Sequence, residues 1–141
     1  MSLQDNKTLV CRFIEKVQNQ HNLAEIDALY SPNFIDHSGP ANPQGIEGLK
    51  MFFTMMFTAF PDIHFTILKQ IAEGDQVMTY KVFHGTHQGI FMGIPPTGNQ
   101  VSVDVMDILT IHEGKIMEHW TVADYLGMMQ QIGAVTTPEK G

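Results

Sequence analysis

The chain is poor in the residues on which several protein classes depend. A single cysteine, Cys11, stands in 141 residues, so no disulfide can close within the chain and a reducing, cytoplasmic compartment is expected. Lysine and arginine number 8 against 15 acidic residues, and with the seven histidines neutral the net charge is −7. Nucleic acids and anionic membrane surfaces are held by clustered basic side chains, so neither is an expected partner. The longest apolar stretch, 51–60, is broken by Thr54 and Thr58 and is far shorter than the roughly 20 residues of a spanning helix. The opening residues, MSLQDNKTLV, lack both the basic flank and the apolar stretch of a secretory leader, and none is expected. No glycine-rich phosphate loop, GxSxG elbow or CxxC pair occurs.

Against these absences, 43% of the residues are hydrophobic, enough to bury a sizeable core. The length fits one domain, expected over 1–135, followed by a tail, 136–141, with little to bury and expected to fray. Leu9, Val10, Phe13, Ile14 and Val17 recur at helical spacing and predict a helix over 5–20 with Asp5 as its cap. A second short helix from Asn22 stops before Pro32, a short strand follows over 33–37, and residues 38–43 read as loop. Ile46, Leu49, Phe52, Phe53, Met56, Phe57 and Phe60 form so broad an apolar stripe that the helix over 45–60 must be largely buried.

The second half changes period. Segments 63–72, 76–87, 100–112 and 116–124 are rich in Val, Ile, Thr and aromatics, and two of the three connections are tight. A final short helix is predicted from Asp124 to Gly133. Helices first and a run of strands after them give an α+β class. A strongly twisted antiparallel sheet, closed on its open side by the N-terminal helices, leaves an apolar cavity suited to a small molecule.

Four blocks carry a resemblance: Phe60-Pro61-Asp62, the stretch from Gly85-Thr86-His87 through Pro95-Pro96-Thr97-Gly98, Gly114 to Trp120, and Asp124-Tyr125-Leu126-Gly127. In order and spacing they resemble the SnoaL-like polyketide cyclase family over nearly the whole chain. The resemblance implies the cone-shaped, nuclear-transport-factor-like α+β fold, assembled as homodimers or homotetramers through the outer face of the sheet. It also implies a pocket that uses neither metal nor cofactor and closes a polyketide ring by an intramolecular aldol step. In that family the acid/base is an aspartate on the last strand, and the aligned position here is Thr121. A helper histidine on the preceding strand aligns with Asp107. The fold expectation is untouched by this departure, but an identical mechanism does not follow.

An aldol step needs a base beside a carbonyl and a donor for the enolate oxygen. Asp107 is the first candidate base: it shares a strand face with Val103, Val105, Leu109 and Ile111, where desolvation would raise a carboxyl toward neutrality. The alternative is a carboxylate paired with Lys or Arg at a surface or interface. His119 is the second catalytic candidate, expected with Met117, Thr121 and Ala123 on the pocket face, against the plainer reading of a structural hydrogen bond. Thr121, Trp120, Tyr80, Phe53, Met56 and His37 are candidate pocket residues, the aromatics and Met equally readable as core. Asp124 reads as a helix cap, His84 and His87 as rim or structural residues rather than metal ligands, and Cys11 as packing. Two functions fit: an acid–base enzyme acting on a small apolar carbonyl compound, or a non-catalytic module of the same fold that binds a hydrophobic ligand or assembles with other chains. Asp107→Asn is expected to abolish activity and leave the fold intact.

Overall fold

The computed structural model describes residues 2–39 and 43–135, so the expected frayed tail and the centre of the 38–43 loop lie outside the described residues. Helix α1 (Leu3–Phe13) begins in a capping box: the Ser2 hydroxyl accepts from the Asp5 N–H at 3.0 Å and the Asp5 carboxylate accepts from the Ser2 N–H at 3.2 Å. Ser2 is therefore the cap, and Asp5 occupies the third helical position. The helix expected to run to residue 20 changes pitch at Ile14 and continues as a π-helical segment, Ile14–Asn19. There the Asn19 amide accepts from the Phe65 N–H at 2.6 Å and donates to the Phe65 carbonyl at 3.2 Å, stapling the segment to the sheet.

Helix α2 (Glu25–Leu29) leads into strand β1 (Tyr30–Asp36), which starts three residues earlier than the sequence predicts and includes Pro32. Proline is tolerated because β1 is an edge strand, where a missing N–H breaks no ladder. Helix α3 (Gly45–Ala59) and strands β2 (His64–Glu73), β3 (Gln76–Thr86), β4 (Gln100–His112) and β5 (Lys115–Ala123) follow, with helix α4 (Tyr125–Gln131) last. The sheet has five strands in the order β1-β5-β4-β3-β2. The four long strands pair antiparallel, while β1 returns to lie parallel to β5. The sheet is curved and unclosed, and its concave face receives the helices.

Register decides which side chains turn inward. Across β4 and β5 the inward rungs are Val105–Ala123, Asp107–Thr121, Leu109–His119 and Ile111–Ile116. Between the last two, Met117 is an extra residue, a β-bulge that sends Ile116 into the core in the place that strict alternation assigns to Met117. Without that bulge, Ile116 and His119 could not share a face.

The core falls into two clusters. One joins Phe13, Val17, Ile26, Tyr30 and Phe34 to Val77, Leu109 and Ile116; the other joins Phe60, Ile63, Phe83, Phe91, Val103 and Met128. Phe91 makes the long 87–99 loop a plug rather than a lid: it is buried against Phe60 at 5.4 Å between ring centroids. Burying side chains of this size contributes about 1.5–3 kcal/mol each. Phe52 and Phe57 from α3 and Phe65 from β2 touch both clusters, and the space between the clusters is the cavity.

Candidate active site

The cavity is about 140 Å³ and opens to solvent beside Ser38, Gly39 and Tyr125. Its walls are apolar over most of their area, with Phe52, Phe53, Met56, Phe83, Val103 and Val105 among them. Polar groups gather at one end, delivered by five elements: Gln18 from the π-helical segment, Asp36 from the end of β1, Lys81 from β3, Asp107 from β4, and His119 and Thr121 from β5.

Lys81 and Asp107 are both almost wholly buried, their side chains 2% exposed, and the Lys81 Nζ lies 2.8 Å from Asp107 Oδ2. The ammonium also donates to the Gln18 Oε1 at 2.9 Å and sits 4.8 Å over the Phe65 ring. A charge at this depth survives only with such partners. Asp107 Oδ1 is buried with no hydrogen-bond partner among the described residues. The helical pitch matters here, because the wider π turn is what carries Gln18 to Lys81, a use of π-helices typical of functional sites.

His119 stands between two carboxylates. Its Nε2 contacts the Thr121 hydroxyl and lies 3.9 Å from Asp107 Oδ2, and its Nδ1 lies 3.6 Å from Asp36 Oδ1. The last distance is longer than a hydrogen bond, and among the described residues Nδ1 has no other partner. Burial alone would raise the Asp36 carboxyl, but the His119 ring and the backbone N–H groups of Ser38 and Gly39 outweigh it, so Asp36 titrates below the ordinary 3.8. Gly39 is required for this geometry, since a Cβ there would overlap the Asp36 carboxylate. Burial first, then Asp107 and Asp36, push the Tyr30 phenol well above its usual 10, and burial and Asp36 raise Tyr125 in the same sense. Both phenols are therefore neutral donors at physiological pH.

Of the residues singled out from sequence, Asp107, His119, Thr121, Phe53 and Met56 line the cavity together. Trp120, Tyr80 and His37 do not. Trp120 lies on the outer face of the sheet, stacked on His37 with centroids 4.4 Å apart, and His37 meets Glu118 at 2.9 Å. Tyr80 also faces outward, beside Asp104, which raises its phenol. Alternation explains both, because each neighbours a cavity residue, Lys81 or Thr121, and so points to the opposite side. His84 stacks on His64 at 4.8 Å, and His87 is buried with its Nδ1 3.0 Å from the Thr97 hydroxyl. Asp124 caps α4 by accepting from the Gly127 N–H at 2.9 Å. Lys81, Asp36 and Gln18 are the site members that sequence reasoning missed. Burial alternates strictly from Val77 to Phe83 and puts Lys81 inside with Thr79 and Phe83. The residues themselves, Val-Met-Thr-Tyr-Lys-Val-Phe, do not alternate in polarity, so the sequence carried no clear signal for Lys81.

The model of SnoaL-like polyketide cyclases matches residues 8–132. The chain belongs to that family. The SnoaL-like chain is 30% identical over 113 residues to an aklanonic acid methyl ester cyclase, DnrD, of Streptomyces peucetius, covering 77% of this chain and 75% of that protein. A nogalonic acid methyl ester cyclase of Streptomyces nogalater is 32% identical over 68 residues, 48% of this chain and 51% of that one. Among solved structures, TsrD from Streptomyces laurentii superposes with a TM-score of 0.88 at 27% identity, covering 96% of this chain and 99% of that chain. The expected α+β cone, with N-terminal helices against a curved sheet, is thus the fold of this SnoaL-like protein. Among its described residues, no helix is long and apolar enough to cross a membrane.

Proposed function

We propose that this chain is a cofactor-free cyclase that closes a ring in a small, apolar, polyketide-type carbonyl compound by intramolecular aldol addition. The observation that carries this reading is the gathering of Asp36, His119, Asp107 and Lys81 at one end of an otherwise apolar cavity. Such an end can move a proton, and the remainder can only hold hydrophobic shape.

In this reading His119 is the base. Asp36, held as a carboxylate, orients the ring with its proton on Nδ1, leaving Nε2 to accept. Nε2 takes a proton from the carbon next to a carbonyl, and the electron pair moves onto that carbonyl oxygen. The enolate carbon then attacks a second carbonyl of the same molecule, whose oxygen takes the proton back from the imidazolium. Nothing is gained or lost, so the step is an isomerisation that calls for no oxidant or reductant. Asp107, paired to Lys81, sits 3.9 Å from Nε2 and favours the transient imidazolium. Thr121, at the position where the family's aspartate aligns, contributes a hydroxyl to Nε2 rather than a base.

The relatives are named for aklanonic and nogalonic acid methyl esters, which makes aklanonic acid methyl ester the first probe. Incubation should give a product of unchanged mass and new retention time, and the substrate recovered from D₂O should carry deuterium beside its carbonyl. His119→Gln should suppress both. Binding of the ester without either change would make the chain a carrier rather than a catalyst.

The same reading includes a second copy of the chain on the outer face of the sheet. Two neighbouring rungs there are apolar almost from edge to edge: Ile71–Met78–Ile108–Trp120, and Tyr80–Met106–Val122. Val122 is 76% exposed and Met106 47%, unusual for a free surface. The sheet edges are less suited to pairing, with Pro32 on β1 and a bulge at Leu68 beside Lys69 on β2.

A further inference from the structure

The polar end of the cavity has an electrostatic problem that the proposed cyclisation leaves unsolved. Ring closure builds negative charge on a substrate oxygen, yet Asp36 and Asp107 already bring two carboxylates to that end. His119 cannot hold the oxygen while its Nε2 is removing a proton from the adjacent carbon. Thr121 is engaged with the same Nε2. Among the described residues lining the cavity, Lys81 is the one lysine or arginine.

We propose that Lys81 is a catalytic residue whose ammonium binds the enolate oxygen of an apolar ketone substrate. This inference rests on the cyclase reading and deepens it. Three features of the geometry support it. First, an ammonium carries three N–H donors, and Asp107 and Gln18 account for two, at 2.8 and 2.9 Å. Second, Lys81 and Phe65 both line the cavity, and Nζ lies 4.8 Å over the Phe65 ring and 5.7 Å over the buried Phe13 ring, so the ammonium stands in the cavity wall among aromatic faces. Third, Lys81 does not approach as a mobile surface chain. Gln18 and Asp107 hold its head from two sides in a site with 2% exposure, which gives a preorganised donor in a medium that strengthens its field. Asp107 then serves as the counterion that makes a buried ammonium tolerable, and Gln18, placed by the π-helical pitch, as a positioning residue for it.

A coloured phenol reads this property without turnover. 1,8-Dihydroxyanthraquinone is a flat polycyclic ketone whose visible band shifts when a hydroxyl beside the carbonyl ionises, so its anion imitates the enolate. Bound to the wild-type chain, its titration midpoint should move to lower pH by about one unit or more, the effect of an opposite charge at contact distance. The comparison is K81M/D107N, which removes both charges of the pair together and so leaves neither buried alone; circular dichroism checks its fold. In that variant the bound dye should titrate at or above its free value, since burial disfavours the anion, while H119Q should keep the downward shift. A midpoint lowered equally in K81M/D107N, or unshifted in the wild type with the dye bound, overturns the assignment of Lys81. Failure of the dye to bind the wild type at all removes the cavity reading on which the assignment stands, and the assignment with it.

Discussion

At the scale of single residues, the structure changes what the substitution of Asp107 tests. Asp107→Asn, expected from sequence to leave the fold intact, strands the Lys81 ammonium in a site where both side chains are 2% exposed. Breaking a buried pair from one side costs about 3–5 kcal/mol, so urea denaturation should show a large loss of stability, most of it recovered in K81M/D107N. Asp36→Asn is the cleaner functional probe. Asparagine keeps the shape at the end of β1 but cannot hold the His119 proton on Nδ1, so kcat should fall by about 10²–10⁴-fold with little change in KM. It should also alter acid stability. Asp36 titrates below its ordinary 3.8 when folded, so its contribution is present above the unfolded value and lost as pH falls through the lower folded one. The wild type should therefore lose stability more steeply than Asp36→Asn as pH falls below 3.8, read as thermal midpoints in acid.

At the scale of elements, the sequence was legible where one physical rule governed a long stretch. The broad stripe of α3 marked the face that packs inward, with Leu49, Phe53 and Met56, but not a largely buried helix, since Met51 and Met55 on the other side are exposed. The alternation of β4 grouped Asp107 with the apolar residues of one face, because burial of one face leaves little choice of register. Legibility failed where a local irregularity reset the count. The bulge at Met117 exchanges Ile116 for Met117 inside, and the π turn after Phe13 delivers Gln18 to Lys81; neither irregularity leaves a compositional trace. Asp36 was passed over because it ends an edge strand next to a loop, and only the parallel pairing Asp36–His119 between β1 and β5 brings it to the site. That pairing joins residues 83 apart by number, out of reach of any local pattern. The staple between Asn19 and Phe65 makes the π segment testable. Asn19→Ala removes two part-buried hydrogen bonds to one residue, which should cost about 1–3 kcal/mol and speed amide exchange at Phe65.

For the whole molecule, the two faces of the sheet are coupled by geometry. Successive residues of a strand point to opposite sides, so Ile108 and Trp120 on the outer face flank Asp107, His119 and Thr121 on the inner one. A second copy seated on the outer rungs would therefore clamp the same strands that hold Asp107, His119 and Thr121. Val122→Lys puts a charge at the most exposed apolar position of that face, opposite Met106 and away from the cavity. If the outer face joins two copies, this change should weaken association by well over tenfold in light scattering, since it would strand an unpaired charge in the interface, while circular dichroism stays unchanged. Trp120→Ala should act in the same direction and leave dye binding in the cavity intact, because its ring is stacked on His37 outside. A monomeric Val122→Lys with full kcat would mean that each cone holds its own site rigid. A fall in kcat on dissociation would instead show that Asp107 and His119 depend on the second copy for their spacing.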